Sequence, residues 1–182
     1  MKLRLVLILI LSITICSGFV NKPNDALLIF GEGFSFMVNE PENWRCYTAD
    51  AGKYGLNACF CMGNENFDNA EVVMYIRVMK KENQSAAEHL QGDMEDFRDK
   101  YSDIKYDDFS ITDLTYNNSS KIYIYNNYRD YVCYLEPDPA PESPLYLIFV
   151  LSGPKETAHN YQADFVKLVQ SFQWLGNSYQ KM

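Results

Sequence analysis

Cys46, Cys59, Cys61 and Cys133 have three chemistries open to them, and their spacing bears on each. In a strand, Cys59 and Cys61 present both sulfurs on one face, with Ala58, Phe60 and Met62 on the other. Two such sulfurs suit a soft metal such as Cu(I). A structural zinc site draws on two C-x2-4-C pairs, and the one close pair here is C-x-C. In an oxidising compartment an even cysteine count points to disulfides. If "DAGKYGL" (50–56) is a hairpin loop, Cys46 lies opposite the 59–61 region. The pairing expected is Cys46 with Cys59 or Cys61, and Cys133 with the one left over. Four cysteines allow three connectivities, and buried free thiols that pack as small hydrophobes are the remaining alternative.

The other chemistry-bearing residues converge less. His89 and Asp93 stand at a ligand-like spacing of four, but two ligands do not make a metal site, and His159 lies far along the chain. No G-x-S-x-G, Walker or H-E-x-x-H pattern occurs. No pair of carboxylates is singled out for acid–base work. No residue is therefore given a catalytic, metal or cofactor role, and no cofactor is expected. Tyr123, Tyr125, Tyr128, Tyr131 and Tyr134 crowd one short stretch. Tyr123 and Tyr125 share a strand face opposite Ile122 and Ile124. If the Ile face is core, the Tyr face is a candidate partner surface; if helices cover both faces, the tyrosines are packing. Asn83, Asn117 and Asn118 are glycosylation sequons, relevant to a eukaryotic secretory host.

Compartment follows from the N-terminus. Lys2 and Arg4 precede an apolar run over residues 5–15, and "CSG" (16–18) offers small residues for cleavage. This is the pattern of a secretory signal peptide over residues 1–18, too short for a spanning helix. The alternatives are an uncleaved anchor, or a lipid on Cys16, where Ile15 stands in place of the small residue a lipobox wants. Cleavage after Gly18 leaves one domain over 19–182. It removes two of the 16 basic residues and none of the 24 acidic ones, so the mature formal charge is −10. Such an acidic chain is a poor binder of nucleic acid or anionic membrane surfaces.

Residues 27–30 and 34–38 read as short strands around Gly31-Glu32-Gly33, followed by the Pro-containing turn "PENW" (41–44). "WRCYTA" and "NACFCM" read as the arms of a hairpin, and "EVVMYIRVM" (71–79) as a strand. Ser85 and Glu88 form a capping box that starts a helix, with Leu90, Met94, Phe97 and Tyr101 on its apolar face. Strands are expected at 109–116 and 121–125, separated by "NNSS", and at 130–136. Proline-rich 137–144 is a loop, and "LYLIFVLS" (145–152) is the central strand. Gly153-Pro154 opens a last helix, whose buried face is Tyr161, Phe165, Leu168 and Phe172. Strands grouped around two helices predict an α+β domain with a largely antiparallel sheet.

This order of elements resembles the PsbP-like fold, the group that also includes a Ran-binding nuclear import factor. The residues that carry the resemblance are "PENW", the apolar strand "VVMYIRV" before a capped helix, the late strand "LYLIFVLS", and a terminal helix ending in Ser171-Phe172. It spans nearly the whole mature chain and is nearest to secreted bacterial forms. The resemblance implies a central antiparallel sheet with helices on both sides, and a role as an accessory or interaction module. The photosynthetic members serve a membrane protein complex, and nothing here points to a photosystem. The function expected is thus a secreted or periplasmic, non-catalytic interaction domain. Its partner would be a protein or a cell-envelope component, met through the Tyr123–Tyr125 face or the 137–144 loop. A small-ligand or cysteine-bound metal carrier is the alternative, and a hydrolase built on His89 or His159 comes third.

Overall fold

The computed structural model describes residues 26–81, 84–137 and 145–176. The leader with Cys16, the Asn83 sequon and most of the proline-rich loop lie outside these residues. The strands are β1 (Ala26–Gly31), β2 (Phe34–Asn39), β3 (Trp44–Tyr47), β4 (Ala58–Met62), β5 (Val73–Lys80), β6 (Lys105–Asp108), β7 (Asn117–Tyr125), β8 (Tyr128–Glu136), β9 (Leu145–Pro154) and β10 (Gln173–Trp174). The helices are α1 (Thr48–Ala51), α2 (Ala86–Lys100), α3 (Lys155–Ala158) and α4 (Gln162–Gln170), with single 3-10 turns after α1 and α3. Among the described residues no helix is long and apolar enough to cross a membrane.

Seven strands form an antiparallel sheet in the order β3-β4-β5-β9-β8-β7-β6. The most apolar strand, β9, sits at its centre, as its composition requires: a central strand is covered on both faces and cannot alternate cleanly. β9 runs two residues past the expected end, through Gly153. A side chain there would meet Val72 Cγ2 at 2.8 Å and the Glu71 carbonyl at 3.2 Å, so glycine lets the neighbouring backbone approach. A second, three-stranded sheet, β1-β2-β10, is also antiparallel.

Helices cover both faces of the large sheet. On one, α4 and the small sheet bury Phe36, Val38, Phe165, Leu168 and Phe172 against Phe60, Met74, Leu147 and Phe149. On the other, α2 lays Ala86 and Leu90 over Tyr123, Tyr134, Tyr146 and Val150. Each helix is sandwiched by its own apolar stripe, so the architecture is the expected α+β arrangement with a mainly antiparallel sheet between helical layers.

Local chemistry sets the element ends. Ser85 Oγ accepts the Glu88 amide at 3.2 Å, and the Ser85 amide donates to Glu88 Oε2 at 2.7 Å, completing the capping box. The Ala86 amide donates to Glu136 Oε1. Glu136 also takes Lys81 Nζ at 3.1 Å, so a buried carboxylate ties the first turn of α2 to β8. In the "PENW" turn the Trp44 amide donates to the Pro41 carbonyl at 3.1 Å. The Trp44 ring meets Tyr161 edge-on, at 5.6 Å between centroids.

Gly153 and Pro154 end β9 instead of opening the last helical segment, which begins at Lys155 with α3, and two further expectations change. Residues 109–116 do not pair as a strand; the strand before β7 is the polar β6, and "NNSS" lies within β7. Phe109, Ile111, Leu114 and Tyr116 do point into the core. Their alternation reports burial of an irregular segment, held by Ser120 Oγ on the Phe109 carbonyl and Gln170 Nε2 on the Thr112 carbonyl. Between β3 and β4 the loop begins as helix at Thr48, so the hairpin arm is shorter than "WRCYTA".

Candidate functional site

The cysteines are placed by the β3–β4 register. Cys46 stands opposite Phe60, Cys59 opposite Tyr47 and Cys61 opposite Arg45. Directly opposed residues share a face, so Cys46 lies on the core side with Phe60, and Cys59 and Cys61 lie on the other. Cys133 pairs with Phe149 inside the core. The expected bridge from Cys46 to Cys59 or Cys61 therefore crosses the sheet and does not form, and all four thiols are free. Cys59 Sγ donates to the Tyr47 carbonyl at 3.2 Å. Burial pushes the Cys46, Cys61 and Cys133 thiols up to about 12 and raises Cys59 as well. Nucleophilic attack needs thiolate, which burial disfavours at all four, and Cys59, Cys61 and Cys133 are packed among buried side chains. Among the described residues no three His, Cys, Asp or Glu side chains converge on a metal position.

The histidines lie in elements on opposite faces of the large sheet. His89 in α2 stacks on Tyr146, with centroids 4.0 Å apart; His159 is exposed in the turn before α4. Tyr123 is fully buried and Tyr125 half-buried. Phe97 of α2 lies edge-on to both, at 5.1 and 5.6 Å. The Tyr123–Tyr125 face thus turns toward α2, which buries Tyr123 and leaves Tyr125 half-exposed. Beneath α2 those hydroxyls meet acids: Tyr123 donates to Asp93 Oδ2 at 2.9 Å, and Tyr125 to Asp130 Oδ2 at 2.7 Å. Asn117 and Asn118 of the sequons lie in β7, opposite Glu136 and Leu135.

The surface that stands out is one that no motif announced. In β1 and β2, Leu27, Ile29, Phe34, Phe36 and Val38 turn inward to the core. The opposite face of the same strands is also apolar. Register puts Leu28 beside Met37 and Phe30 beside Ser35. Leu175, just past β10, donates its amide to the Ser35 carbonyl at 3.0 Å and so joins this face. Leu28 is 44%, Phe30 68% and Leu175 42% exposed, which makes three of the five large exposed hydrophobics among the described residues. Phe30 and Leu175 make contacts of their own and still leave this much surface open. Single exposed apolar residues are ordinary; a cluster on one sheet face is not. A partial signal was in the sequence: "LLIF" is a continuous apolar run rather than an alternating one, and "FSFMV" is interrupted by Ser35 alone, so both faces of these strands carry apolar side chains.

No protein-family model and no curated protein matches the sequence. Among solved structures, the chain is similar to the solution structure of cyanobacterial PsbP (CyanoP) from Synechocystis sp. PCC 6803. The match covers 87% of this chain and 96% of that one, at 11% identity and a TM-score of 0.47. It is a likeness of fold alone, to the fold that the order of elements resembles.

Proposed function

We propose that the chain is an exported, non-catalytic interaction domain that docks a protein partner on the outer face of its β1–β2–β10 sheet. The observation that carries this reading is the exposed cluster of Leu28, Phe30 and Leu175 around Met37. Burying such a cluster supplies affinity at roughly 25 cal/mol per Å² of apolar surface before association costs are deducted. The occupant is a protein rather than an anionic lipid surface or nucleic acid, because the mature chain carries −10 and Glu32 stands exposed at the β1–β2 turn. The complementary partner has an apolar patch with a basic rim.

The test places a photo-crosslinking residue at position 30 or 28, and as a control at exposed Glu95 on α2, in the intact secreted chain. One discrete adduct from the β1 positions and none from Glu95 supports the reading. So does a loss of about tenfold in that adduct on Leu28→Asp, the expected effect of a charge in an apolar contact. Equal crosslinking from both faces, or an adduct unchanged by Leu28→Asp, overturns it.

A further inference from the structure

Beneath α2 the apolar layer is broken by two carboxylates. Ala86, Leu90, Met94 and Phe97 form the sheet-facing stripe of the helix, and Asp93 lies in that stripe. It accepts the Tyr123 hydroxyl, and the Tyr134 hydroxyl also bonds to it. Asp130 stands opposite Tyr123 in the β7–β8 register and is 5% exposed. Its Oδ2 takes Tyr125, the Ser152 hydroxyl lies close to the same carboxyl, and Oδ1 has no hydrogen-bond partner among the described residues.

Little positive charge faces this pair. Among the described residues neither Asp93 nor Asp130 has a salt bridge. From β5, Tyr75 faces them and Arg77 is exposed. From β6, Tyr106 donates to the Met94 carbonyl, with Arg98 of α2 held over the Tyr106 ring. From β9, Tyr146 is covered by His89. On α2 itself Asp96 adds a like charge. Burial first, then the neighbouring acids, hold both carboxyls above the ordinary value of 3.8, against the hydroxyls that lower them.

The helix also carries a weak point beside Asp93. Gly92 sits mid-helix and exposed, and a side chain there would meet nothing within 4 Å. No close packing requires glycine, and glycine costs a helix interior about 1 kcal/mol relative to alanine. On one side of Gly92 the first turn is pinned by the capping box and Glu136; on the other side lies the acid.

We propose that α2 is a pH-responsive cover, hinged near Gly92, whose C-terminal half lifts from the tyrosine-rich sheet face when Asp93 and Asp130 ionise. The sign follows from linkage. Stability from the neutral carboxyls is fully present below the ordinary carboxyl value and is lost as pH rises through their raised values. Ionised, the pair places two like charges in an interlayer lined by phenols and apolar side chains, and solvation of Asp93 by lifting the helix relieves them. The hydroxyls of Tyr123 and Tyr134 then face solvent.

Amide hydrogen exchange on the full mature chain, expressed as protection relative to intrinsic rates, tests this from the ordinary carboxyl range, about pH 4, up to about pH 8. Protection at Phe97–Lys100 should fall about tenfold across that range, well beyond any change in the central strands. Protection at Met74 and Phe149 in the central strands should stay level. Asp93→Asn should abolish the fall while leaving Tyr123 a bonding partner. Gly92→Ala should raise protection about fivefold at every pH, as its helix propensity predicts, and keep the slope. The inference is overturned if Asp93→Asn retains the wild-type slope, or if the central strands lose protection in step with α2.

Discussion

Asp130 is where a single residue has the most to say about stability. Its Oδ1 is buried without a partner among the described residues, and burial raises its pKa. Asp130→Asn keeps an acceptor for Tyr125 and removes the ionisable group. The variant should gain about 1 kcal/mol or more at neutral pH, the scale of an unsatisfied buried group. The gain should vanish below the ordinary carboxyl range, where the wild-type acid is already neutral; denaturant midpoints against pH check it. At this scale the sequence was only partly legible. The Ser85–Glu88 cap was readable because both groups lie within one turn. Cys46 and Tyr123 were not: the faces they occupy depend on a cross-strand register and on which helix covers the sheet, and a one-residue slip reverses a face.

Among elements, β9 depends most on one small side chain. Gly153→Ala drives a methyl against Val72 Cγ2 and the Glu71 carbonyl. It should cost about 1–3 kcal/mol, the usual penalty for overpacking, read as a lower thermal midpoint with an unchanged circular dichroism spectrum. The same element shows what sequence pattern conveys well. An unbroken apolar run marks a central strand because coverage on both faces leaves its trace in every residue. Pattern conveyed less for 109–116, since alternation records which side chains are buried and is silent on backbone pairing. β6, "KYDD", was missed for the converse reason: it pairs along an edge with mostly exposed side chains.

For the whole molecule, export and thiol state meet in one measurement. Intact mass of the secreted protein should begin at Phe19. It should show no change on reduction and gain four alkyl groups after unfolding in the presence of an alkylating agent. Buried Cys59, Cys61 and Cys133 should react in the folded chain far more slowly than in the unfolded one. A mass two units lower per pair before reduction would show bridges and refute the register-based placement. The global α+β layout was legible in the order of elements, whereas the exposed apolar face of β1–β2–β10 showed only as the unbroken run "LLIF", because no motif marks a sheet that is apolar on both sides.

The three-stranded sheet joins residues from the two ends of the described chain: β10 pairs Gln173 with Met37 and Trp174 with Phe36. Such distant pairing is slow to form, since a long loop must close first. During synthesis the β1–β2 hairpin must wait, greasy on both sides, until the last strand has emerged. A nascent chain of this design is an aggregation hazard in that interval. The same face that would recognise a partner at the end of maturation is thus the one a holding chaperone would shield at its beginning.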